Sequence, residues 1–158
     1  MQKFLGIDPG LNNTGWGIVE YTNDNNYNLI NYGIFKTAIS NNLETRLKFI
    51  FDSIFNLITL EKPDKISMEK VFVNVNPASS EKLIMARTAS FLAIAKSGYN
   101  VIEFSPNEIK KAITNNGRSD KNIVKSKVQQ ILNIEDNIKK SDATDALAIA
   151  ICIGLIKK

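Results

Sequence analysis

Apolar and polar positions change rhythm several times along this chain, and each change marks an element. Residues 3–8, KFLGID, are a short apolar run that ends in a charge and then Pro9-Gly10, which predicts a buried strand stopped abruptly at its C-terminal end. GWGIVEY at 15–21 and NLINYGIFKT at 28–37 alternate apolar with polar, the period of strands, and the polar quartet 23–26 between them predicts a turn. The rhythm then lengthens. Leu43, Leu47, Ile50, Ile54 and Leu57 recur at alternating steps of four and three, one face of a helix, with Asn41 and Glu44 as a capping pair at its start. Pro63 closes that segment, and KISMEKVFV at 65–73 predicts a fourth strand with Glu69 near its C-terminal end. A long helix from about 78 ends at Gly98, and NVIEFS at 100–105 is a fifth strand. SPNE at 105–108 is a helix start: an N-cap serine, a first-turn proline and a glutamate three residues on. A polar loop precedes a helix over 120–132, and a last, almost wholly apolar helix begins at Ser141 as its N-cap. The pattern predicts one α/β domain over residues 1–158, a mixed five-stranded sheet with helices on both faces.

Composition narrows the chemistry. The chain of 158 residues is 44% apolar and 23% charged, ordinary for a globular protein able to bury a real core. Cys152, the single cysteine, sits in the apolar run AIAICIGLI and reads as an inert packed thiol. No stretch is long enough to span a membrane and no leader stands out at the start, which together suit a reducing cytoplasm. Histidine is absent altogether, so a Ser-His-Asp triad and a Cys-His dyad are excluded. An enzymatic base must then be a carboxylate, a lysine or a metal-bound hydroxide.

The net charge of +4 is unevenly spread. Residues 109–127 hold Lys110, Lys111, Arg118, Lys121, Lys125 and Lys127 against Asp120 alone, a local +5 on a body of −1. A basic patch on a nearly neutral body predicts a polyanionic partner. Lysines outnumber arginines 17 to 3, which favours contact with backbone phosphate and recognition of shape over extensive base readout.

Against this basic stretch stand four conspicuous acids. Asp142 and Asp145 in SDATDALAIAI lie at the mouth of the last helix, at a spacing that brings their Cβ atoms within ~5–6 Å. Complementing the helix dipole would be worth only ~0.3–1 kcal/mol each. Asp8 ends the first strand and Glu69 ends the apolar part of the fourth. If those strands are neighbours, both acids emerge at one sheet edge, where the start of the last helix can join them. Such a cluster repels itself unless cations neutralise it. An all-oxygen donor set suits Mg²⁺ or Mn²⁺, and two such ions ~3.5–4 Å apart suit in-line phosphodiester displacement.

Four blocks, GIDPGLNNTGWG, MEKVFVNVNPASSEKLIMAR, EFSPNEIKKAITNNGRSDKNIVKSKV and SDATDALAIAI, resemble in order and spacing the RuvC Holliday junction resolvases, over nearly the whole chain. The resemblance implies an RNase H-like fold, a homodimer, and a Mg²⁺-dependent endonuclease that nicks two strands symmetrically at four-way DNA junctions in recombination and repair. It implies work beside a branch-migration motor of the RuvA and RuvB type. It places Asp8, Glu69, Asp142 and Asp145 on the family's metal-holding catalytic carboxylates. It places Phe72 on an aromatic that meets bases near the crossover, and Lys110 and Lys121 on cations near the scissile phosphate. A stacked base on such a ring is worth ~1–3 kcal/mol. Lys111, Arg118 and Lys125 are the further candidates for DNA contact. The chain departs from the family pattern at Leu11 and Asn12, where a small polar and a basic residue are usual, and at Ile84 and Thr88, which replace glycines. The first departure bears on a phosphate contact, the second on how closely dimer helices pack. The apolar surplus of the long helix, with Leu83, Ile84, Met85, Ala89, Phe91, Leu92 and Ile94, is expected to supply part of a dimer surface.

Overall fold

The computed structural model describes residues 1–22, 26–71, 77–134, 138 and 141–156, and for 77–79 the backbone alone. Its elements are β1 (Gln2–Asp8), β2 (Asn13–Tyr21), β3 (Tyr27–Lys36), α1 (Leu43–Glu61), β4 (Lys65–Glu69), α2 (Pro77–Lys96), β5 (Val101–Phe104), α3 (Pro106–Thr114), α4 (Lys121–Ile131) and α5 (Ser141–Leu155). The sheet runs in the order β3-β2-β1-β4-β5. β1–β2 and β2–β3 are antiparallel, while β1–β4 and β4–β5 are parallel, so the sheet is mixed as the pattern predicted.

The alternation of side chains along β1 explains the two layers. Leu5 and Ile7 point to one face, where they join Ile18, Ile66 and Met68 beneath α1 and α2. Phe4 points to the other face and joins Val19 and Phe104 beneath α3, α4 and α5. The centre of that second layer is α5, buried from Ala143 to Ile153 except at Asp145. A helix apolar on all sides is stable only when covered on all sides, and here the sheet lies below it and α3 and α4 beside it. Cys152 is part of this packing, and burial pushes its thiol up to about 12, which makes it inert as expected.

Several boundaries differ from the sequence reading for local reasons. The cap of α1 is Asn42, whose side chain accepts from the Thr45 amide; with asparagine at both 41 and 42, periodicity does not choose between them. Ser141 is the first residue of α5 and not its cap, so Asp142 lies in the first turn and Asp145 just beyond it. β4 ends at Glu69, short of the expected 73, and Phe72 lies outside the described residues. The capping box at α3 is as predicted: Ser105 Oγ accepts from the Glu108 amide and the Glu108 carboxylate accepts from the Ser105 amide.

Candidate active site

The parity that sorts β1 into two layers also aims the acids. Asp8 follows Ile7 and therefore faces the α5 layer. On β4, Ser67 Oγ donates to the Ile149 carbonyl of α5 at 3.0 Å, and Glu69, two residues on, faces the same side. β1 and β4 are parallel neighbours in the register Ile7 to Met68, so Asp8 and Glu69 leave adjacent strands at one level. The sequence therefore aims two carboxylates at one point.

Glycines let α5 bring the other two. Asp8 pairs across the ladder with Gly15 of β2, and a Cβ at Gly15 would collide with the backbone carbonyl of Asp142. A Cβ at Gly6 would collide with the Ala146 carbonyl and lie 2.6 Å from the Ala150 nitrogen. With no side chains at these two positions α5 lies directly on the strands, antiparallel to β1, its first turn over the C-terminal end of that strand.

The four acids, all half-buried, feel one another. Asp8 is pushed up to about 8, first by loss of water and then by the charges of Asp145, Glu69 and Asp142, with Lys121 opposing. Glu69 is raised by burial and by Asp145, and lowered by Lys121, Lys110 and Arg87. Asp145 is raised by burial, against Lys121, which forms an ion pair with it at 3.7 Å. Among the described residues no three acidic side chains stand at metal-holding separation. The fold supplies four backbones aimed together and carboxylates that repel one another. The donor set fits a hard divalent cation: it is all oxygen, and the charge it lacks is positive.

A cleft opens on one side of the acids, lined by Glu69, Asp145, Lys110, Lys121, Ile109 and Val124. It brings Lys110 of α3 and Lys121 of α4 to the carboxylates. Lys111 and Arg118 do not share it. They line a separate concavity with Asn107 and Asn116, because adjacent residues such as Lys110 and Lys111 point about 100° apart on a helix. Lys125 is half-buried and lines neither.

Two arginines were not singled out in the sequence. Arg87 of α2 donates to the Glu69 carbonyl at 2.5 Å and pairs with Glu103 of β5, tying the end of β4 to α2 and β5. Buried Arg46 of α1 donates from Nε to Thr37 Oγ1 at 3.0 Å and from Nη2 to the Leu11 carbonyl and to Asn12 Oδ1. The only sequence signal for either is a cation within an apolar helical pattern.

The family model of the crossover junction endodeoxyribonuclease RuvC matches residues 4–153. The chain belongs to the RuvC family. The family protein of Neorickettsia sennetsu is 45% identical over 147 residues, covering 92% of this chain and 89% of that one. That of Ehrlichia ruminantium (strain Gardel) is 40% identical over 153 residues, covering 95% and 94%. Among solved structures, Thermus thermophilus RuvC in complex with a Holliday junction substrate superposes with a TM-score of 0.88 at 24% identity, covering 97% of this chain and 93% of that chain. The fold is therefore the RNase H-like α/β fold of RuvC. As a RuvC family member the chain is a crossover junction endodeoxyribonuclease. At the departures from the usual RuvC pattern, Thr88 Oγ1 bonds the Ile84 carbonyl at 2.8 Å within α2, and Ala86, Ala89 and Ala93 supply the small residues that pack against α1. No helix among the described residues is long and apolar enough to cross a membrane.

Proposed function

We propose that this chain resolves four-way DNA junctions in recombination and repair by symmetric paired nicking, as one nuclease domain in a homodimer in the cytoplasm. The observation that carries the reading is the self-repelling set of Asp8, Glu69, Asp142 and Asp145 beside the Lys110–Lys121 cleft, in a chain of the RuvC family. Asp8, Glu69, Asp142 and Asp145 would hold two ions, Mg²⁺ or Mn²⁺, which when bound supply an activated water and neutralise the leaving oxygen. Asp8 gives up its proton when a cation takes over the compensation of charge. Lys110 and Lys121 stand across the cleft from Glu69 and Asp145, placed to steady charge that develops on the scissile phosphate. Phe72 is the stacking residue for bases at the crossover. Lys111, Arg118 and Lys125 hold backbone away from the cut, and the partner machinery is a branch-migration motor of the RuvA and RuvB type.

Lysine 121 separates catalysis from folding. Its side chain is 85% exposed, so its pair with Asp145 is worth ~0–1 kcal/mol. Lys121→Ala is expected to leave the melting temperature nearly unchanged and to lower single-turnover cleavage by ~10²-fold.

The dimer reading is supported by an apolar groove between α1 and α2, lined by Leu47, Phe51, Ile84, Met85, Ala89 and Leu92. Leu92 is 58% exposed there, and Phe49 and Ile84 are exposed too. Leu92→Glu is expected to give monomers in sedimentation analysis and to replace paired nicks by single ones.

The test of the whole reading uses an immobile four-way junction, a linear duplex and an RNA–DNA hybrid, each incubated with the protein and Mg²⁺. Paired nicks on the junction alone support it. Equal cutting of duplex or hybrid would move the assignment to another RNase H-like nuclease.

A further inference from the structure

Glu69 is the last residue of β4, where the sheet gives out. The β1–β4 ladder runs to Ile7 and Met68 and stops one residue short of it. On the other side Glu69 stands level with Phe104 of β5, whose carbonyl accepts from the Lys70 amide at 2.8 Å. The Glu69 carbonyl itself goes to a side chain of α2, for Arg87 Nη1 donates to it at 2.5 Å. We propose that Arg87 is a positioning residue for the Glu69 carboxylate, setting it for a metal ion by fixing the main chain from which it projects. The proposal rests on the reading of Glu69 as a metal-holding residue and adds what keeps it in place.

The grip is made at both ends of one planar group. Nη2 of the same guanidinium pairs with the Glu103 carboxylate of β5, and its central carbon lies 4.8 Å from the centre of the Phe91 ring, one turn along α2. The Arg87 side chain is only 12% exposed. A rigid fork held at two nitrogens and against a ring has one placement, which a flexible ammonium lacks. Bonds from a charged donor are also about twice as strong as neutral ones. Because Arg87 grips the main chain, the carboxylate keeps its oxygens for a cation. Two residues earlier, Ser67 Oγ donates to the Ile149 carbonyl of α5. The end of β4 is thus fastened from both layers, by α5 through Ser67 and by α2 through Glu69.

The fastening matters because the site pushes against it. The charge of Asp145 opposes that of Glu69. Strand ends are the weakest part of a sheet, and an end without its anchor would yield to that repulsion. Outer contacts that orient a metal ligand commonly set ~10–100-fold in metal affinity or activity.

Two substitutions test the role. Arg87→Lys keeps a positive charge beside Glu103 and loses the fork. Glu103→Gln keeps the carbonyl bond and loosens the guanidinium at its other end. In EDTA, the melting temperature, junction affinity and hydrogen exchange of the Lys70 amide are measured. Mg²⁺ is then titrated without DNA and followed by the rise in melting temperature. Single-turnover cleavage is read at saturating four-way junction. Arg87→Lys is expected to quicken Lys70 exchange ~10-fold. It is expected to raise the Mg²⁺ midpoint ~10-fold and lower the saturating rate ~10–100-fold, with junction affinity unchanged. Glu103→Gln is expected to shift the midpoint the same way by less. A merely structural arginine would lower the melting temperature and leave the Mg²⁺ midpoint where it is, and that result in folded Arg87→Lys overturns the proposal. If Arg87→Lys does not fold, the midpoint of Glu103→Gln decides by the same rule. The nuclease reading fails separately. Mg²⁺ that stabilises the wild type without any cut on the junction sinks the nuclease, while a shifted midpoint upholds the role of Arg87. Mg²⁺ that does not stabilise the wild type at all overturns both.

Discussion

Asp8→Asn is expected to abolish strand cleavage, retain junction binding, and raise the stability of the metal-free protein. The three effects share one cause. Asp8 carries the largest burden of the acid cluster, with burial and three neighbouring carboxylates all opposing its charge. Asparagine keeps the shape and removes the charge, so the metal-free fold gains about 0.5–2 kcal/mol. The sign with pH follows. The unfolded carboxyl titrates near 3.8 and the folded one near 8, so between those values the native state holds the extra proton. The stabilising contribution of that proton is complete below about 3.8 and lost as pH rises through 8. The gain in melting temperature from Asp8→Asn should therefore widen from pH 5 to pH 8, as read by thermal denaturation in EDTA. Addition of Mg²⁺ or Mn²⁺ is expected to stabilise the wild type far more than the variant. A constant difference across that range would mean that Asp8 is not the group under strain.

Gly15→Ala is expected to damage catalysis more than folding. The added Cβ meets the backbone of Asp142, not the end of a flexible side chain, so the first turn of α5 must move. Overpacking of this kind costs ~1–3 kcal/mol. The displaced turn carries Asp142 and, just beyond it, Asp145, and a shift of about 1 Å in a reacting group can cost ~10² in rate. Denaturant melts should show a folded protein of reduced stability, and single-turnover cleavage should fall by ~10²-fold or more. Thr14→Ser, at the adjacent position on the opposite face of β2, serves as a control for general disturbance of that strand. Cleavage that follows stability alone would show that the approach of α5 has slack.

The order of elements was legible because each has its own period, and Ser105 with Glu108 marks a helix start through local bonds alone. The pairing of Asp8 with Glu69 was legible too, since strand ends at one edge follow from a parallel neighbour. Three things were not. Gly15 and Gly6 read as ordinary strand residues, because what demands them is a helix about 130 residues away in sequence. The roles of Arg87 and Arg46 depend on carbonyl groups of other elements, which no period reports. The basic stretch was read as one patch, yet the helix turn sends Lys110 to the cleft and Lys111 to another concavity.

The lateness of α5 has a consequence for how this nuclease comes into being. The helix seats itself through partners that precede it by long intervals, Gly6 under Ala146, Tyr27 Oη on the Ile151 carbonyl, Ser67 on Ile149. It is also the spine of one of the two core layers. Contacts of such separation close slowly and late. Until they close, that face of the sheet is bare and two of the four acids are absent from their place. If the four acids cut DNA as proposed, maturation and activation are one event, and a chain caught half-assembled lacks two of the four.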